Sequence, residues 1–293
     1  MPDTSATHVA CDSAVPRRQL GRLLRDLRQG AGLTLDQVAQ LIGVGRTTVQ
    51  RLETAGTNRI DLEDVEAFCQ ACGADDLMTE ALMGLAQGGD PKGWYHRFEL
   101  YLGLEAVAEV LTDFNEIVPG LLQTADYARA MYRIGHPNES PSEIEQRVER
   151  RMRRRRLVVR KLRPVQLNVV LDESALHRVI GDRRTMQAQC RHLADMSTKS
   201  NVAVRILPYS AGLPVGELTG PFAIMDFGSR SDDEPVERSL VYVENYRGAM
   251  YYDDKDEVRA YRATHETLVH AALNPEASRA LLRRTARKYE CER

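Results

Sequence analysis

Leu33-Thr34-Leu35-Asp36-Gln37-Val38-Ala39-Gln40-Leu41-Ile42-Gly43-Val44-Gly45-Arg46-Thr47-Thr48-Val49-Gln50-Arg51-Leu52-Glu53 is the stretch whose reading decides how this chain folds at its N-terminal end. Thr34 is a good N-cap, and Gln37 three residues later completes the pattern of a capping box. Val38, Ala39 and Ile42 then fall on one face of a short helix. Gly43-Val44-Gly45 makes a tight turn. From Arg46 to about Thr54 a second helix turns Val49 and Leu52 inward. Two short helices joined in this way form a helix-turn-helix unit, which lays its second helix in the major groove of double-stranded DNA.

The neighbouring sequence extends this unit into a helical domain. Pro16 opens a helix that runs to Gln29, with an apolar stripe at Leu20, Leu23, Leu24 and Leu27. Asp61 caps a fourth helix over Leu62–Cys72, and a fifth covers Asp76–Gln87. Residues 1–15 read as a flexible tail and 16–88 as an all-α DNA-binding domain. Gln87-Gly-Gly-Asp-Pro-Lys-Gly93 has the composition of a linker. Beyond it, residues 89–293 read as an α+β domain for regulation and dimerisation. Its helices are expected at 99–113, 121–134, 141–162, 173–180 and 183–199, with two more at 258–272 and 276–288. Its strands are expected at 165–171, 202–207, 221–227, 240–244 and 250–252.

Charge supports a one-sided nucleic-acid contact. The chain has 293 residues and a net charge of only −2. Residues 17–59, however, hold eight arginines against three acids, and residues 60–90 hold eight acids with no Lys or Arg. With 43% hydrophobic and 28% charged residues the composition is that of a globular protein. No apolar run approaches the roughly 18 residues of a membrane span. A cytoplasmic, nucleoid-associated location is expected, with no membrane partner.

Other clusters have less specific readings. Five scattered cysteines argue against a disulfide framework. Cys69-x2-Cys72 has zinc-ligand spacing but no second pair, so packed thiols are expected and no metal or cofactor. His265 and His270 lie at i and i+5, about 140° apart on a helix, where a zincin helix needs i and i+4. Glu173 and His177 do share a face, as a solvated pair would. The sequence shows no phosphate loop and no nucleophile elbow, and no enzymatic activity is expected. Residues 147–163 hold ten basic side chains and one acid. This segment, with Arg150, Arg151, Arg154 and Arg155, reads as a solvated helix, as a surface for an acidic partner or ligand, or as an auxiliary DNA contact. Trp94, Tyr95 and Phe98 follow the linker and suit either a sealed domain junction or a ligand pocket.

Residues 17–87 resemble the five-helix Xre-type domain of phage repressors. By position, that resemblance makes Arg46, Thr47, Gln50 and Arg51 base readers. It makes Thr48, Arg59 and Thr34, at the start of the second helix, phosphate contacts, and Arg28 with Glu53 a structural ion pair. Arg can bind guanine O6 and N7 through both prongs of its fork, and the Thr methyl can meet a thymine methyl. Two positions depart from the pattern: Leu35 replaces a phosphate-touching Gln, and Gly45 replaces a Ser or Thr cap. The larger domain is similar to that of WhiJ-like regulators of actinobacteria. The similar stretches are Gly103-Leu-Glu-Ala106, Val118-Pro-Gly-Leu-Leu-Gln-Thr-Ala-Asp-Tyr-Ala-Arg129, Val170-Leu-Asp-Glu-Ser-Ala-Leu176, Val204-Arg-Ile-Leu-Pro208 and Val241-Tyr-Val-Glu244. The resemblance implies a transcription repressor of a family that acts in development and antibiotic production, and a homodimer is the expected form. It would bind an inverted repeat and answer to a ligand or to a small acidic BldB-like partner. A partner-sequestering, antitoxin-like module with DNA autoregulation is the alternative.

Overall fold

The computed structural model describes residues 15–54, 60–87, 94–228, 239–245 and 248–291. The chain divides into two compact units, Met1–Val107 with Glu244–Asp253, and Ala108–Val243 with Asp254–Arg293.

The first unit is helical: α1 (Val15–Gly30), α2 (Leu35–Ile42), α3 (Arg46–Glu53), α4 (Leu62–Ala71), α5 (Asp76–Gln87) and α6 (Trp94–Val107). The unit also includes strand β6 (Gly248–Tyr252). Leu20 and Leu24 from α1, Val38 from α2, Val49 and Leu52 from α3, and Phe68 from α4 are buried together with Leu82 and Leu85 of α5. These are the inward positions of the amphipathic stripes, and burying them is what stabilises helices too short to persist alone. α6 approaches α5 closely at Gly103, where a Cβ would stand 2.7 Å from the carbonyl oxygen of Ala81.

The second unit is built on a mixed sheet whose strands, among the described residues, lie in the order β3-β2-β1-β4-β5. Its strands are β1 (Val110–Asn115), β2 (Gln166–Asp172), β3 (Val202–Leu207), β4 (Phe222–Asp226) and β5 (Leu240–Asn245). β1, β2 and β3 pair in parallel; β4 pairs antiparallel with both β1 and β5. The parallel half needs crossovers. They are α7 (Ala125–Gly135), α8 (Pro141–Arg154) and α9 (Arg156–Val159) between β1 and β2, and α10 (Arg183–Met196) between β2 and β3. Helices α11 (Lys255–Ala271) and α12 (Pro275–Cys291) close the chain.

Two expectations change. The helix expected over 99–113 ends at Val107, and β1 begins at Val110. β1 lies between β2 and β4, so Leu111, Asp113 and Phe114 are all buried, and the polar alternation that marks a half-exposed strand is missing. The helix expected over 173–180 is only a 3-10 turn, Glu173–Leu176, whose start is capped by Asp172 accepting from the Ser174 N–H at 2.8 Å.

Candidate nucleic-acid interface

The capping box at α2 forms as its sequence requires. Thr34 Oγ1 accepts from the Gln37 N–H at 3.2 Å, and Gln37 Oε1 accepts from the Thr34 N–H at 2.8 Å. Gly43 ends α2 in the left-handed region, φ 75°, which an L side chain would resist. Gly45 stands at the N-cap of α3 with no side-chain cap. The first N–H groups of α3 are therefore left to solvent or to a ligand such as a phosphate.

One face of α3 is fixed and the other is exposed. Val49, Leu52 and Glu53 are buried. Glu53 Oε1 and Oε2 accept from Arg28 Nε at 2.6 Å and Nη2 at 2.9 Å, and Arg28 also donates to the Leu33 carbonyl. The Glu53 hydrogen bonds raise the Arg28 pKa, outweighing burial. A buried two-pronged pair of this kind sets the orientation of α3 against α1 and the α1–α2 loop. Gly21 lets the two helices meet: a Cβ there would stand 2.7 Å from the Glu53 carbonyl oxygen.

Arg46, Thr47, Gln50 and Arg51 are all exposed and lie on the face opposite Val49 and Leu52. Arg51 has no ion pair or side-chain hydrogen bond among the described residues. Arg46 lies 3.5 Å from Asp36, both largely solvent-exposed. Thr48 is half-buried beside them. At α2 the Thr34 and Gln37 amides bond to each other's side chains, and the Asp36 carboxylate stands in the first turn. A phosphate there would meet an acid as well as N–H groups. The phosphate contact expected of Arg59 lies outside the described residues.

The arginines of residues 147–163 do not form one open patch. Arg154 is buried, beside Gly120. Arg151 donates to Gln123 Oε1 at 2.6 Å and lies 4.5 Å from the Tyr132 ring centre. Arg155 is half-buried against Met152, and Arg150 is exposed. The inward arginines belong to a polar clasp that the sequence did not reveal. Gln123 donates to the Val118 carbonyl, while Gln189 of α10 accepts from the Thr124 N–H at 2.7 Å and donates to the Leu122 carbonyl at 2.8 Å. These bonds account for the Val118–Arg129 segment as a buried anchor. Trp94 and Tyr95 begin α6, and their side chains, with that of Phe98, lie outside the described residues.

Cys69 and Cys72 are buried, and burial pushes the Cys69 thiol up to about 11, so it stays protonated at neutral pH. Glu173 Oε1 lies 3.5 Å from His177 Nε2, and its other oxygen accepts from the Tyr209 N–H. No group of three or more His, Cys, Asp or Glu converges among the described residues. None of their helices is long and apolar enough to cross a membrane.

Residues 19–82 match a helix-turn-helix domain, and residues 98–284, well over half the chain, match the domain of unknown function DUF5753. The chain belongs to the DUF5753 family. No curated protein and no solved structure matches it. The helix-turn-helix match spans α2 and α3, and it marks this DUF5753 protein as a DNA-binding regulator.

Proposed function

We propose that the chain is a sequence-specific transcription repressor of the WhiJ-like kind, acting as a homodimer from the cytoplasm. The observation that carries this reading is the single exposed face of α3 bearing Arg46, Thr47, Gln50 and Arg51, held in place by the buried Arg28–Glu53 pair. Each protomer reads one half-site, so two-fold symmetry requires an inverted repeat with half-sites roughly 34 Å apart. The uncapped start of α3 and Thr48 hold the phosphate backbone. The DUF5753 domain dimerises the chain and receives a signal; it does not catalyse.

Selection from randomised duplexes tests this. Wild type should enrich an inverted repeat. Arg46→Ala or Arg51→Ala should lose about 1–3 kcal/mol on that repeat and relax the preference at one base pair per half-site. An unchanged preference in both variants would remove them as base readers.

A further inference from the structure

Helix α11 lies over one face of the sheet, and that face is unexpectedly polar. Cross-strand register places Ala203, Asn168, Thr112 and Ile224 in one row across β3, β2, β1 and β4. The next row in the same direction is Arg205, Val170, Phe114 and Phe222. Phe114 and Phe222 are buried, and the Phe222 ring meets Tyr261 and His265 of α11 edge-on, at 5.1 and 6.4 Å between ring centres. Toward β3 the cover opens into a cavity of about 350 Å³. Its floor includes Thr112, Asn168 and Arg205, and its roof is formed by Arg262, His265 and Glu266.

A sheet face beneath a helix is ordinarily apolar, because every polar group there must be desolvated. Here three polar side chains from three strands line the opening instead, Asn168 exposed and Thr112 and Arg205 half-buried, so this part of the face stays in reach of solvent. Arg205 is half-buried and has no ion pair or side-chain hydrogen bond among the described residues, although Glu266 lines the same cavity. The other guanidinium, Arg262, is already engaged by Asp226 and Ser239. His265 is buried, and its Nε2 has no hydrogen-bond partner among the described residues. The rest of the lining is aliphatic: Val170, Ala203, Ile224 and Val269.

We infer that this cavity binds a small organic monocarboxylate, its charged end on Arg205 and its apolar body along Val170, Ile224 and Val269. Arg205 offers the planar fork that matches a carboxylate. Glu266 makes a dianionic phosphate a poor match, since the cavity offers one unengaged cation against one acid. The volume lies within the range of ligand pockets, and a half-apolar lining with a few convergent polar groups is their usual character. Use of the site as a signal input rests on the regulator reading above; the binding itself does not.

Calorimetric titration of the full chain with benzoate, phenylacetate and hexanoate tests the site, each run beside its neutral amide and beside inorganic phosphate. At least one carboxylate should bind, with its amide weaker by about tenfold or more. Arg205→Gln should weaken that carboxylate by a similar factor while leaving the urea midpoint unchanged. If Arg205→Gln lowers the midpoint, Asn168→Leu provides the second test, since it narrows the floor at an exposed position and should also weaken binding. Failure of all three carboxylates, equal binding of acid and amide, preference for phosphate, or full binding by both variants would overturn the proposal. Operator affinity measured on the same samples separates the two claims. A chain that reads DNA and binds no carboxylate loses only this site; one that binds benzoate through Arg205 and reads no DNA loses only the regulator reading.

Discussion

Arg46 and Asp36 face each other across the turn at 3.5 Å, both in water, where such a pair contributes little to folding. Its effect should appear in DNA binding, because Asp36 competes with the duplex for Arg46 and adds a negative charge beside the phosphates. Asp36→Asn should strengthen DNA binding about two- to fivefold at low salt, with the gain shrinking as salt rises. Unchanged affinity at low salt in a shift assay would show that Asp36 does not restrain Arg46. His192 gives a second prediction at this scale. Burial, aided by nearby Arg155, pulls its pKa down from 6.5 to about 4, against a smaller opposing pull from Asp195. Between those values the unfolded chain binds the proton and the folded chain does not, so stability falls as pH is lowered from 6.5 to 4. His192→Gln should flatten the decline in urea midpoints over that range. A variant that declines as steeply as wild type would assign the acid sensitivity elsewhere.

The close contact of α1 and α3 decides whether the reading face stands at the right angle. Gly21→Ala places a Cβ 2.7 Å from the Glu53 carbonyl oxygen and 2.9 Å from its carbon, both backbone atoms, so the helices must separate. The expected cost is about 1–3 kcal/mol in the thermal melt, with weaker DNA binding. Gly30→Ala, at the end of the same helix with nothing within 4 Å, should be neutral or slightly stabilising. Equal effects of the two changes would mean that helix propensity, rather than the α1–α3 contact, sets the outcome. The helices of this region were legible in sequence because their signals are local: a cap at Thr34, a left-handed Gly43, and stripes spaced three and four residues apart. β1 was not. Its apolar residues continue the spacing of α6 without a polar break, and only the strands on both sides explain why Leu111 and Phe114 are both buried.

Across the whole molecule, legibility declines as the partners of a contact lie further apart in sequence. The Arg28–Glu53 pair spans 25 residues and was placed by resemblance. The Gln189–Thr124 bond spans 65, and nothing near either residue announces it. The same distance explains the arginine-rich segment: its composition left open a solvated helix, a docking surface or a DNA contact, and Arg151 and Arg154 are drawn inward by groups far away in the chain. The cavity beneath α11 exists only through the register of four strands. At this scale the central claim is that α3 of a symmetric pair reads sequence. Footprinting on the DNA upstream of the chain's own coding region, beside an equal length of random DNA and at two salt concentrations, tests it most directly. Two protected half-sites about one helical turn apart, lost in Arg46→Ala and Arg51→Ala while the fold persists, are the predicted result. Equal, salt-sensitive protection of both DNAs, indifferent to those substitutions, would contradict it.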